Sequence, residues 1–177
     1  HPDTGDTFPL FYKDTRKFGY LKLLAEQELD SWPFYSSLGP EPLEISRQGF
    51  VQLFNNRTAR IKGLLLNQQF IAGIGNIYAD ESLFRAGIRP DAHVDRISRA
   101  KLEKLHDALQ EVLAEAIADC GSSISDYRDA QGNAGAFQNK FRVYGREGQD
   151  CASCGNTLKK MRVAGRTTVY CPRCQPS

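Results

Sequence analysis

Four of the five cysteines, Cys151, Cys154, Cys171 and Cys174, read C-x2-C, then sixteen residues, then C-x2-C. Each C-x2-C lets two thiolates reach one ion from a tight knuckle, and two knuckles supply the four tetrahedral ligands that zinc prefers. Gly155 follows the second cysteine where the knuckle must turn sharply. The intervening segment predicts a hairpin: Leu158–Val163 is strand-like, Ala164-Gly165 turns, and Thr167–Tyr170 returns. Two disulfides or a redox pair are the competing readings, and nothing around the cysteines reads as the βαβ setting of a redox motif. Cysteine at all four positions leaves no coordination place for a reactive water, so one structural Zn2+ is expected, a scaffold rather than a catalyst. Cys120, at the end of a predicted helix, is expected to be a buried small hydrophobe.

Three further groups of residues have chemical potential. In Gly73-Ile74-Gly75-Asn76 the glycines let backbone approach a ligand, and Asn76 is a favoured helix N-cap. Free N–H groups and the helix dipole there would suit a phosphate; a tight helix–helix turn is the plainer alternative. Arg16 and Phe18 lie two apart between strand-like stretches, hence on one face of an extended chain. Such a pair suits contact with base edges and wedging of a base step, while a strand end with Phe18 buried and Arg16 solvated accounts for the same residues. Arg166 sits at the hairpin tip, where a metal-braced turn would aim a guanidinium at phosphate, unless it is an ordinary surface arginine. Lys62 and Arg57 offer further cations that a solvated face would equally explain, and His1, His93 and His106 show no pairing pattern.

The elements that must hold these residues fall into three stretches. Over residues 1–45, Phe8, Leu10 and Tyr12 alternate and Tyr20–Leu24 is a second extended candidate, so strands are expected, with Leu38–Leu43 as a linker. Two or three strands cannot form a stable sheet alone. From Ser46 the period becomes helical: Ser46 caps a helix bearing Phe50, Leu53 and Phe54, and a second spans roughly Arg60 to Gln69. A third follows Asn76 to Ala86. Ser98 caps a long one with Leu102, Leu105, Leu109, Val112, Leu113, Ala116, Ile117 and Cys120 inward, ended by Gly121. Residues 121–138 are polar and glycine-rich, a long loop of the kind that often carries function.

Of the 177 residues, 41% are hydrophobic, enough to fill a core, and no apolar run approaches a membrane span. Net charge is only +2, but residues 140–177 carry eight basic side chains against two acidic. That basic end is a fitting footprint for a polyanion, or a solvated surface.

Taken together and in order, these stretches resemble the C-terminal two-thirds of a bacterial formamidopyrimidine-DNA glycosylase. The matching pieces are Asp14-Thr-Arg-Lys-Phe-Gly19, Leu38-Gly-Pro-Glu-Pro-Leu43, Ile61-Lys62 with Leu64-Leu-Leu66, and Ala72-Gly-Ile-Gly-Asn-Ile-Tyr-Ala-Asp-Glu81. Val143-Tyr-Gly-Arg146, Gly165-Arg166 and Cys171-Pro-Arg-Cys-Gln175 complete the set. The resemblance implies an α+β chain in three parts. Residues 1–45 would be the last strands of an N-terminal β-sandwich plus linker, 46–140 a helix-two-turn-helix domain, and 141–177 a four-cysteine zinc finger. It implies damaged double-stranded DNA as partner, in a bacterial cytoplasm at the nucleoid, and a monomeric parent. Arg16 would fill the gap left by a flipped base and Phe18 wedge the stack. Lys62, Asn76 and Arg166 would hold phosphates, with Arg57 as a further DNA contact. Arg166 would also donate a proton in a later elimination step, and Ser122–Phe137 would form the lid over an extruded 8-oxoguanine. The family's nucleophile is an N-terminal proline followed by glutamate, which forms a Schiff base; Pro2, neither first nor followed by glutamate, does not match it. The parent is therefore expected to be a glycosylase and AP lyase, and the 177 residues alone to bind DNA without catalysis. An endonuclease VIII-like glycosylase for oxidised pyrimidines, a non-catalytic zinc-ribbon module for DNA or RNA, and a protein-interaction finger are the alternatives.

Overall fold

A computed structural model describes residues 9–12, 14, 17–123 and 134–177. Arg16, Pro2, Phe8 and most of the expected lid (124–133) lie outside the described residues. The chain divides into two compact units, residues 1–36 and 37–177.

In the first unit the described residues form two single-turn helices, α1 (Glu26–Leu29) and α2 (Pro33–Ser36), and no strand. The strands expected from the alternation are thus not formed there. Residues 20–24 have no regular structure, because an extended segment becomes a strand only with a ladder partner. Side chains organise the unit instead. The Asp14 carboxylate accepts from the N–H groups of Lys17 (3.1 Å) and Gly19 (2.5 Å), bending the chain so that Phe18 stands 87% exposed. Trp32 packs between Tyr20 and Phe34, with the Lys22 ammonium 5.4 Å from the indole.

The second unit is built from helices α3 (Arg47–Leu53), α4 (Ile61–Leu65), α5 (Asn76–Ala86) and α6 (Arg99–Ala118), followed by strands β1 (Lys159–Val163) and β2 (Arg166–Tyr170). The Ser46 hydroxyl caps α3 by accepting from the Gly49 N–H at 3.1 Å, and Ser98 caps α6 through Lys101, both as expected. The core joins Phe50, Phe54 and Phe70, stacked edge to face, to Ile61, Leu65, Leu83, Leu105 and Leu109. His106 is a core histidine, its Nε2 3.0 Å from the Ile45 carbonyl. Helix α4 is shorter than the predicted 60–69: the Asn67 side chain captures the Gln69 N–H at 3.0 Å and turns the chain.

The end of α6 departs from its periodicity. Cys120 lies past the C-cap Asp119 at φ +56 and is exposed, and Ile117 is 65% exposed. The expected burial of Cys120 fails because a left-handed residue carries the chain off the helix, where a 3.6-residue period no longer applies.

Strands β1 and β2 pair antiparallel from Lys159 opposite Tyr170 to Val163 opposite Arg166. Ala164 (φ +48) and Gly165 (φ +73) form the two-residue left-handed turn that matches hairpin twist. The α+β class and the finger hairpin are therefore as expected.

Candidate nucleic-acid interface

The four finger cysteines converge, their sulphurs all within 4.8 Å of one another. Cys151 and Cys174 are 3.8 Å apart and Cys154 and Cys171 3.5 Å, too long for S–S bonds. A tetrahedron with 2.3 Å metal–sulphur bonds has edges of about 3.8 Å, so the cradle fits one zinc ion. The Asn156 backbone N–H holds the Cys154 thiol down at about 7, whereas burial, then the neighbouring sulphurs, push Cys174 up. Gathering four thiolates this closely calls for a divalent cation. Gly155, at φ +73, makes the knuckle turn. The site is structural: four sulphurs close it, and Val143, Leu158 and Val169 pack around it.

The finger is tied to the helical module by three buried polar side chains of α5 and the last knuckle. Glu81 is fully buried, and its carboxylate accepts from the N–H groups of Arg142, Val143 and Tyr144 at 2.9–3.1 Å. Gln175 accepts from the Cys171 N–H (2.9 Å) and donates to the Ile88 carbonyl (2.8 Å). Asp80 accepts from the Val169 N–H of β2 at 3.3 Å.

The Gly73–Asn76 turn is held by Gln68, whose side chain accepts from the Gly73 N–H (2.8 Å) and donates to the Ile74 carbonyl (3.1 Å). Gly73 needs its freedom, at φ +72. Gly75 does not: its backbone is ordinary extended chain, and a Cβ there would meet no atom of the described residues within 4 Å. No packing among the described residues requires a glycine there.

Gly75, and not Asn76 as expected, is the N-cap of α5. Asn76 is the first helical residue, so its amide is free to turn toward the hairpin. Its Nδ2 donates to the Thr167 carbonyl of β2 at 3.0 Å. Its buried Oδ1 has no hydrogen-bond partner among the described residues. The hairpin tip lies over α4, the Ala164 methyl being 3.8 Å from where a Gly63 Cβ would stand. Together Gly63, Gly75, Asn76, Ala164 and the exposed Arg166 line a groove of about 560 Å³. One wall is a helix N-terminus with its first-turn N–H donors; the other carries a guanidinium. That is an arrangement for an anion.

Lys62 stands differently from its expected place at a phosphate. It is fully buried, its ammonium 2.6 Å from Asp80 and donating to the Thr168 hydroxyl at 2.5 Å. The hairpin docks over this face of α4, covering a side chain that the isolated helix would have left in solvent. Burial pushes the Lys62 ammonium down against the pull of Asp80, with Arg166 adding to the downward shift. Burial likewise pushes the Asp80 carboxyl up to about 6 despite Lys62. Arg57 also stands outside the groove. It lies 5.1 Å from the Phe70 ring, bonds the Leu53 carbonyl at 3.1 Å, and lines a separate cavity with Asn55, Thr58 and Asp95. The structure thus brings together Asn76 and Arg166, buries Lys62 behind them, and sets Arg57 apart. Gln68 and Thr168 belong to no motif of the sequence, and Asp80 and Glu81 close the matching stretch Ala72–Glu81 without a role of their own there. Asp80 had one signal, its place four residues after Asn76 and so on the same helix face.

The family described as "Formamidopyrimidine-DNA glycosylase H2TH domain" matches residues 38–128, and "Zinc finger found in FPG and IleRS" matches residues 148–176. A formamidopyrimidine-DNA glycosylase of Nitratidesulfovibrio vulgaris is 60% identical over 166 residues, covering 94% of this chain and 46% of that protein. Among solved structures, the Lactococcus lactis Fpg in complex with abasic-site DNA superposes with a TM-score of 0.85 at 38% identity, over 93% of this chain and 61% of that one. The MutM (Fpg) protein of Thermus thermophilus gives 0.85 at 42% identity, over 92% and 62%. The chain spans about half the length of the first of these relatives.

Proposed function

The chain belongs to the formamidopyrimidine-DNA glycosylase family, and from that membership we propose that its 177 residues are the part that grips damaged duplex DNA in a base-excision glycosylase. One observation supports the reading: two modules distant in sequence, the Gly73–Asn76 turn and the tip of the zinc hairpin, meet in one groove that sets a helix N-terminus beside an arginine. Zinc would hold the hairpin rigid, Asn76 and Asp80 fasten β2 to α5, and Glu81 and Gln175 tie the rest of the finger to the helical module at Arg142–Tyr144 and at Ile88. The Arg166 backbone is thereby held beside a helix N-terminus, so that binding has only the side chain left to order. Bending the backbone at that point lowers the work of extruding a base.

In this reading residues 46–140 form the helical module and 141–177 the finger. The lesion is an oxidised purine, 8-oxoguanine or a formamidopyrimidine, with exposed Phe18 as wedge and Arg16 as its companion in the vacated stack. The whole enzyme acts as a monomer at the bacterial nucleoid, cleaving the glycosidic bond through a Schiff base and then nicking the strand, with Arg166 as proton donor. We assign the nucleophile to no residue of this chain. No helix among the described residues is long and apolar enough to cross a membrane.

Fluorescence anisotropy with a duplex carrying an abasic-site analogue, beside one carrying 8-oxoguanine and one carrying thymine glycol, tests this. The expected result is salt-sensitive binding that favours the abasic and purine lesions, with no adduct trapped by borohydride. Absence of DNA binding would overturn the reading, and a trapped adduct would overturn the assignment of catalysis elsewhere.

A further inference from the structure

Behind the groove lies a buried polar cluster that no DNA can touch. Lys62, Asp80 and Thr168 are each 0–1% exposed. Their geometry is directional. The Lys62 ammonium only donates, and it occupies the acceptor side of the Thr168 hydroxyl at 2.5 Å. The single hydroxyl proton is left for the Arg166 carbonyl, 3.3 Å away. On the other arm Lys62 holds Asp80, whose second oxygen accepts from the Val169 N–H.

Asp80 and Asn76 lie four residues apart on α5, and their bonds reach β2 at Val169 and Thr167, two residues apart. Four helical residues rise about 6.0 Å and two strand residues about 6.6 Å. The strand therefore lies along the helix in register, fastened at two points, with Arg166 at the end nearest the groove. An ion pair this deeply buried is a poor source of stability, since desolvation offsets its attraction. What it supplies is a fixed alignment.

We propose that Lys62 is a positioning residue for the phosphate grip: through Thr168 and Asp80 it sets the register of β2 on α5 and so holds the Arg166 backbone where its guanidinium faces the groove. This deepens, and rests on, the reading of the groove as a DNA phosphate site. It differs from a direct lysine–phosphate contact, because its effect must pass through Arg166.

The test is a double-mutant cycle on abasic-analogue duplex binding, using the full chain with zinc bound. Arg166→Ala is expected to weaken binding about tenfold, the loss of one charge-assisted contact. Thr168→Val, close in shape and without the hydroxyl, is expected to weaken it about fivefold, with Thr168→Ser restoring most of the loss. Lys62→Met is expected to do at least as much. In the Arg166→Ala background both Thr168→Val and Lys62→Met should cost less than twofold more. Equal losses in both backgrounds would overturn the proposal in favour of a direct contact or general destabilisation. Thermal melts and zinc content identify variants that fail to fold; if Lys62→Met is one, the Thr168 pair decides. If Arg166→Ala itself binds normally, the phosphate-site reading falls and the proposal with it. If Arg166→Ala weakens binding and Thr168→Val does not, the proposal alone fails.

Discussion

Two side-chain clusters brace the finger hairpin, and they differ in how they are written in the chain. The four cysteines lie within 24 residues and close on one ion, so spacing alone identifies them. The Lys62–Asp80–Thr168 cluster spans 106 residues between its lysine and threonine, and no local pattern announces it. The first makes the hairpin rigid within itself; the second aligns it against α5. A rigid finger without alignment would present Arg166 to the wrong place. An aligned strand without its metal would have little to keep it folded. The comparison separates two requirements of a grip, stiffness and register.

The largest effect should come from the metal. Stripping zinc with a chelator removes the brace, and DNA affinity is expected to fall by about a hundredfold or more as the finger unfolds. Circular dichroism should show the helical module surviving, since its core around Phe50, Leu83 and Leu109 excludes the finger. Collapse of both together would break the distinction between stiffness and register.

Next in size is Glu81→Gln. An amide cannot accept from the Arg142, Val143 and Tyr144 N–H groups as a carboxylate does, and its own NH2 would face donors. A loss of about 2–4 kcal/mol in urea unfolding is expected. A loss below about 0.5 kcal/mol would mean that the join between finger and helices lies elsewhere.

Asp80 makes a pH prediction. Its folded pKa, about 6, stands above the ordinary 3.8 because of burial, so the folded state holds the proton more tightly than the unfolded. The stability contributed by this group is full below 3.8 and is lost as pH rises through about 6. The difference in unfolding free energy between wild type and Asp80→Asn should therefore move in favour of the variant between about pH 4 and pH 7. An unchanged difference would show that Asp80 titrates as an ordinary carboxylate. The smallest effect belongs to Phe18→Ala. With the ring 87% exposed, stability should stay within about 0.5 kcal/mol, and any deficit should appear in binding of damaged duplex.

What the sequence discloses follows the same division. Features set by neighbours in the chain are legible: the knuckle spacing, the Ser46 and Ser98 caps, the two-residue turn at Ala164-Gly165, the helical stripe of α6 up to Ala116. Features set by docking are not. Lys62 reads as a surface cation on any helix diagram, and becomes a core residue only because β2 lies across it. Asn76 has the composition of an N-cap, yet Gly75 takes that position and frees the amide for Thr167. Tyr20–Leu24 has strand character, but pairing needs a second strand, which the described residues of that unit do not contain. Cys120 fails for a smaller reason, one left-handed residue at a helix end.

The measurement that tests the central claim most directly is the salt dependence of duplex binding for wild type and Arg166→Ala. If Arg166 engages a phosphate in the groove, the slope of log affinity against log salt should become shallower by about 0.9 in the variant. An unchanged slope, with binding otherwise intact, would mean that Arg166 neutralises no phosphate and that the groove is not where DNA is held.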